Sequence, residues 1–205
     1  MTSPLKVGPV VAADAQTVSG RADRTGAQVM ASIHGKYAES VLRGNVYSAA
    51  NTAAKAVSVA LTTTYTGLCL SNPAGSGKNL VMLACQYAIS VAEAAIATQH
   101  LIAGYSAAGV VTHTVALPAP GIQNCIINGT SSAIANADTE ATIVNPYYLM
   151  PIRGGFTAGA LGGPGTATLI DLDGMFIIPP GGWIAFGALT AITGFGGFVW
   201  EEMTA

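Results

Sequence analysis

The chain has 205 residues, of which 9% are Asp, Glu, Lys or Arg, and a net charge of −2. A soluble domain normally carries roughly a quarter charged residues, so little surface chemistry is left for a catalyst and little repulsion to keep copies apart. The charge also excludes a generally basic nucleic-acid binder, and the composition reads as a building block that buries surface against copies of itself or a larger assembly.

The length suits one domain with an appended arm, able to bury a full core without disulfides or metals. Residues 1–55 hold Lys6, Arg21, Arg24, Lys36, Arg43 and Lys55 against Asp14, Asp23 and Glu39; the acids dominate thereafter. A basic arm on an acidic body fits a segment reaching for an acidic neighbour. Met1 to Lys6 shows no basic run leading into an apolar core, so no export signal is expected and synthesis in a reducing cytoplasm is. The most apolar stretch, Gly187 to Trp200, is broken by Gly194, Gly196 and Gly197 and suits strands better than a spanning helix.

Residues 1–30 are small and polar and predict an extended or irregular arm. Met30, Ile33, Tyr37 and Val41 share one helical face, which predicts a helix over 27–43, with a subunit-exchanged extended segment as the alternative. From residue 56 the period changes to two. Val57, Val59 and Leu61 alternate with small residues, then Tyr65 to Leu70 follows. Leu80 to Ser90 is apolar on both faces and predicts a central strand covered on both sides. Residues 92–103 lean to strand. Further strands are expected at 110–115, 125–127, 141–144, 168–173, 175–178, 183–186 and 197–200, with a polar loop over 128–139 and a glycine-rich loop over 154–167.

The segment Ser71-Asn-Pro-Ala-Gly-Ser-Gly-Lys-Asn79 resembles a phosphate-binding loop. However, Asn72 stands where its first glycine belongs, Asn79 where its Ser/Thr belongs, and a strand follows instead of a helix. It reads as a hairpin loop, with Pro73 setting a turn and Gly75 and Gly77 at positive φ. Cys69, Cys85 and Cys125 form no disulfide framework, and the first two read as small core residues. His34, His100 and His113 lack a triad pattern. Asp171 with Asp173, and Asp138 with Glu140, could grip calcium but read as solvated faces. Trp183, Phe186, Phe195, Phe198 and Trp200 read as core packing of a last hairpin, with a sugar platform as the functional alternative.

Two segments carry a likeness. Cys69 to Val81 resembles the strand, N-P-x-G-S-G-K-N, strand loops of virion structural proteins of tailed bacteriophages. Ile178-Pro-Pro-Gly-Gly-Trp183 followed by Trp200-Glu-Glu202 is similar to the closing strands of that group. The resemblance implies a jelly-roll-like sandwich on the particle surface.

The expected fold is therefore all-β. An antiparallel, jelly-roll-like sandwich is expected over 56–205, with an extended or partly helical arm over 1–55. The expected function is a non-enzymatic virion protein, a trimeric capsid cement or decoration protein contacting itself and the major capsid protein or other virion proteins. Arg21, Arg24, Lys36 and Arg43 are the candidate arm contacts, and no cofactor, metal, nucleic acid or membrane is called for. A tail or head-fibre component binding a receptor or glycan is the alternative. An enzyme finds no support in paired acids or a histidine ligand set.

Overall fold

The computed structural model describes residues 35–91, 98–107, 111–153 and 168–205. Ser40–Ala205 forms one compact unit. After a short helix, α1 (Ala38–Leu42), the described elements are strands β1 (Val46–Ala50), β2 (Lys55–Ala56), β3 (Thr64–Ser71), β4 (Lys78–Ile89), β5 (Gln99–Tyr105), β6 (Thr112–Ala116), β7 (Gln123–Asn124), β8 (Asn136–Thr142), β9 (Tyr147–Arg153), β10 (Thr168–Asp171), β11 (Ile177–Ile178), β12 (Gly182–Ala188) and β13 (Thr193–Thr204). The helix expected over 27–43 survives as α1 in its described part, and its earlier residues lie outside the described ones. So do 92–97 and 154–167.

The strands form two antiparallel sheets, ordered β10-β4-β13-β1-β7 and β6-β8-β3-β12-β5-β9. The two-residue strands β2 and β11 pair with β13 and β4; without them and the additions β6, β7 and β8, each sheet keeps four strands, and the chain enters them in the order of two interlocked Greek keys. That is the jelly roll. The sandwich takes in β1 and the first residue of β2, which fall within the segment 1–55 expected as an arm.

Alternation along the strands builds the core. Phe186 on β12 stacks on Phe198 on β13, 4.6 Å between centroids and 8° between planes, so one aromatic pair bridges the sheets. Tyr87 tilts against Phe186 at 5.2 Å. A second buried cluster, including Tyr65, Cys69, Ile102, Trp183 and Ala185, lies on the outer face of the β3-β12-β5 sheet. Phe198 and Trp200 share the first cluster with Phe186, while Trp183 belongs to the second. The expected last hairpin is therefore a crossing from one sheet to the other. Its aromatic residues are divided between two cores, and Phe195 is partly exposed.

Strand β4 shows why its apolar pattern runs down both faces. Val199 pairs with Ala84 but Trp200 pairs with Met82, so Leu83 is an extra residue in β4. This bulge switches the phase of the strand. Leu80 and Met82 point into the core before it, and Cys85 and Tyr87 after it. The expectation of cover on both sides is corrected accordingly: Gln86 on the outer face is exposed.

The segment 71–79 is a corner between sheets and not a hairpin loop, since β3 and β4 belong to different sheets. Gly75 and Gly77 do take positive φ, 73° and 65°. The buried Asn72 holds the corner: its amide nitrogen donates to Lys78 O (2.7 Å) and Ile178 O (2.9 Å), and its amide oxygen accepts from Ser76 Oγ (2.7 Å). Residues 57–61 and 125–127, expected as strands, lie outside the ladders, and the polar loop over 128–139 gives way to β8 at Asn136. Val57 is nonetheless buried, its N–H donating to Ile192 O at 2.9 Å.

The stretch between β5 and β9 is an insertion that closes one side of the sandwich. Its strands β6 and β8 continue one sheet beyond β3, and β7 continues the other beyond β1. Leu117, Ala135 and Ala137 join the core. Buried Glu202 fastens it: the carboxylate accepts from Ile134 N (2.9 Å) and Ala135 N (3.2 Å), with Trp200 Nε1 at 3.4 Å. Glu202→Ala leaves these amides without their acceptor, and a buried unpaired donor costs about 1–3 kcal/mol. Chemical denaturation is expected to show a loss of that size, smaller for Glu202→Gln.

Gly104 seats the outer cluster. A Cβ there would meet the Trp183 ring at 2.6 Å and the Val144 carbonyl oxygen. Gly104→Ala is expected to lower stability by about 1–3 kcal/mol through overpacking, with loss of near-ultraviolet tryptophan ellipticity as the local readout.

Candidate interaction surfaces

Sequence reasoning missed one pair of titratable groups. Asp138 on β8 is 1% exposed, contrary to the solvated face expected for it, and its Oδ2 lies 2.5 Å from His113 Nδ1 on β6. The two residues are 25 apart in the chain, and only the β6–β8 pairing joins them. His113 Nε2 also lies 3.3 Å from Asn136 Nδ2. All five residues of β6 are exposed, so this pair and the ladder hold the strand. Burial pushes the Asp138 carboxyl above its ordinary value, and the hydrogen bond and charge of His113 partly offset this. Glu140, the expected companion of Asp138, instead pairs with Lys55 at 2.8 Å.

A carboxylate whose folded pKa is raised binds its proton more tightly in the native state. Its stabilising contribution is complete below the unfolded value, about 3.9, and is lost as pH rises through the folded one. Wild type should therefore gain stability over Asp138→Asn as pH falls from neutral towards the unfolded value of about 3.9. Thermal unfolding across that range checks this, and a constant difference between the two proteins contradicts it.

Of the four arm cations, Arg21 and Arg24 lie outside the described residues. Lys36 is exposed, its Nζ 5.2 Å from the Tyr37 ring centroid. Arg43 is exposed just after α1 and lines a groove of about 390 Å³. That groove sits at the β1–β7 edge, where Asn124 Nδ2 donates to Gly44 O (3.0 Å) and Tyr47 pairs with Ser132 through their hydroxyls (3.0 Å). Arg43 is the one charged residue in its lining. Leu42, 68% exposed, belongs to that lining, and Ile127, 92% exposed, follows lining residue Ile126.

The opposite edge of the same sheet has different chemistry. Register places Leu169 beside Gln86 and Asp171 beside Ala84, so both point outward from β10. The chain then turns at Asp173, at φ 48°, and Gly174, at φ 79°, before Met175 and Ile177. Leu169, Asp171, Asp173, Met175 and Ile177 are all exposed. They form an apolar strip bearing two acids, and residues 168–180 contain no base. The expectation of exposed carboxylates at 171 and 173 agrees with this placement.

A second concavity, about 380 Å³, opens at one end of the sandwich, with Tyr105, Tyr147, Leu149 and Phe176 in its wall. Trp183 also lines it, but its ring is buried and Nε1 donates to Val144 O at 2.9 Å.

Among the described residues no group of three or more His, Cys, Asp and Glu is arranged to hold a metal ion. No described helix is long and apolar enough to cross a membrane. Cys69, Cys85 and Cys125 are free thiols. Cys69 faces the outer cluster and Cys85 the inner one, and burial raises the Cys85 thiol to about 12. Comparison with known proteins gave no match to a family model, a curated protein or a solved structure.

Proposed function

We propose that this chain is a structural subunit of a tailed-phage particle, a trimeric cement or decoration protein bound to the capsid shell. The observation that carries the reading is a jelly-roll domain with few charges whose opposite sheet edges present apolar surface. Jelly rolls recur in viral capsid proteins, and the turn segments Cys69–Val81 and Ile178–Trp183 resemble those of phage virion proteins. Low charge favours wide, dry contacts, since few ions must be desolvated when subunits meet. The basic N-terminal segment would tie the subunit to an acidic neighbour in the shell.

A second reading has one observation in its favour. The tyrosine-walled concavity at the sandwich end suits a stacking ligand such as a sugar ring, which would make the protein a tail or head-fibre component in host attachment.

Co-sedimentation with empty shells of the parent virion separates the two. The full chain is expected to pellet with shells, and the triple variant Arg21→Glu, Arg24→Glu, Lys36→Glu to lose roughly tenfold or more in affinity, with a weaker salt dependence. Equal binding by the variant removes the arm from the account. Saturable glycan binding without shell binding favours host attachment.

A further inference from the structure

We infer that Asn128 is a site of spontaneous covalent modification: in the folded protein it loses its side-chain amide through a succinimide formed with Gly129, leaving aspartate or isoaspartate beside the Arg43 groove. This holds whether or not the chain belongs to a particle.

The reaction needs an asparagine with an unrestrained side chain, a following residue that does not block the attack, and access to water. Of the eight asparagines in the sequence, only Asn128 precedes glycine. Asn72 and Asn145 precede proline, which has no N–H to become a nucleophile. Asn45, Asn51, Asn79, Asn124 and Asn136 precede Val, Thr, Leu, Cys and Ala, whose side chains crowd the attacking nitrogen. Backbone carbonyls also hold the side-chain nitrogens of Asn51, Asn72, Asn124 and Asn145. Asn128 is exposed, and its side chain makes no hydrogen bond among the described residues.

The fold itself calls for this pair of residues. Ile126 to Gly129 form a turn closed by Gly129 N–H, which donates to Ile126 O at 2.8 Å. Asn128 stands at φ 66°, a conformation that asparagine tolerates better than most side chains do. A Cβ at position 129 would lie 2.9 Å from Ile126 O and 3.2 Å from Ile126 Cβ, so the turn favours glycine there. Turn geometry therefore selects the two residue types whose succession is most prone to the reaction. The same hydrogen bond sets the rate. The Gly129 nitrogen must leave Ile126 O before it reaches the Asn128 side chain, so the reaction draws on the fraction of molecules whose turn is open.

The steps balance with water as the one co-reactant. A base removes the Gly129 N–H proton, and the nitrogen forms a bond to Cγ of Asn128. The Cγ–Nδ2 bond breaks, and the amide nitrogen takes up a proton and leaves as ammonia. Water then opens the succinimide. If the bond between Cγ and the Gly129 nitrogen breaks, aspartate results on the original backbone. If the bond from the Asn128 main-chain carbonyl breaks, the chain runs on through Cγ as isoaspartate, one carbon longer. Either product is a carboxylate at neutral pH and adds one negative charge to the chain's −2. Ile126, Gly129 and Thr130 line the groove together with Arg43, so the change alters the charge and shape of that surface.

The test holds the full chain folded in warm, mildly alkaline buffer and samples it over time. Circular dichroism checks the fold, and peptide mass spectrometry maps the acid. Position 128 is expected to change from amide to acid ahead of every other asparagine, in two products of equal mass that chromatography separates. Isoelectric focusing should show a shift of one charge per chain. The chain in denaturant should convert faster at this position, since no turn restrains Gly129. Asn128→Gln, at an exposed position, should fold normally and lose the charge shift, because the longer side chain closes its ring far more slowly. Three results overturn the inference: an amide that survives in the folded chain while the denatured chain converts, acid that appears first at another asparagine, or aspartate as the single product, which marks direct hydrolysis without a succinimide.

Discussion

The stacking of Phe186 on Phe198 is the contact on which the rest of the structure depends. These residues stand on β12 and β13, consecutive in the chain but in different sheets. Their rings can meet only if the chain crosses the sandwich between them. Space for the pair comes from Gly196, where a Cβ would lie 2.7 Å from the Phe186 ring. Leu68, Leu101, Cys85 and Tyr87 then fill the interior around it. Burial at about 25 cal/mol per Å² is the main favourable contribution to such a fold, and the partly exposed Lys55–Glu140 pair, from β2 in one sheet to β8 in the other, adds little beside it.

Once the sheets are fixed, the insertion between β5 and β9 decides which surfaces remain open. It extends both sheets on the same side and is fastened by Glu202 and by Asn124 on Gly44 O, while the His113–Asp138 pair holds β6 to β8 within it. On the far side β9 and β10 end the two sheets, and Leu169, Met175 and Ile177 face solvent. The outer face of the β3-β12-β5 sheet carries its own buried cluster, whereas the outer face of β4 exposes Gln86. Among the described residues, one side of the sandwich is thus closed by the insertion, and on the other β9 and β10 are the last strands of their sheets.

The fold class was legible in the sequence because period-two alternation and glycine–proline turns are local signals, and the long apolar run at 80–90 marked β4 directly. The bulge at Leu83 was not legible, since a one-residue phase change inside an apolar run looks like a strand buried on both faces. The corner at Asn72 was readable as a turn, but whether a turn joins paired strands or crosses between sheets depends on partners far along the chain. The candidate surfaces were legible only in part. Arg43 was marked by charge alone. The pairing of His113 with Asp138 and the seating of Glu202 under Ile134 and Ala135 join residues 25 and 68 apart, and neither spacing has a local pattern. The strip at 169–177 was read only as a solvated acidic face, because its exposed apolar members become visible once the strand register is known.

The central claim is that this sparsely charged jelly roll is finished by its own copies. The most direct measurement is the solution mass of the wild-type chain by light scattering over a wide dilution series. A single discrete species at a whole-number multiple of three or more times the 20.6 kDa chain mass, persisting on dilution, is the outcome the account requires. A chain that stays at 20.6 kDa at every concentration contradicts it.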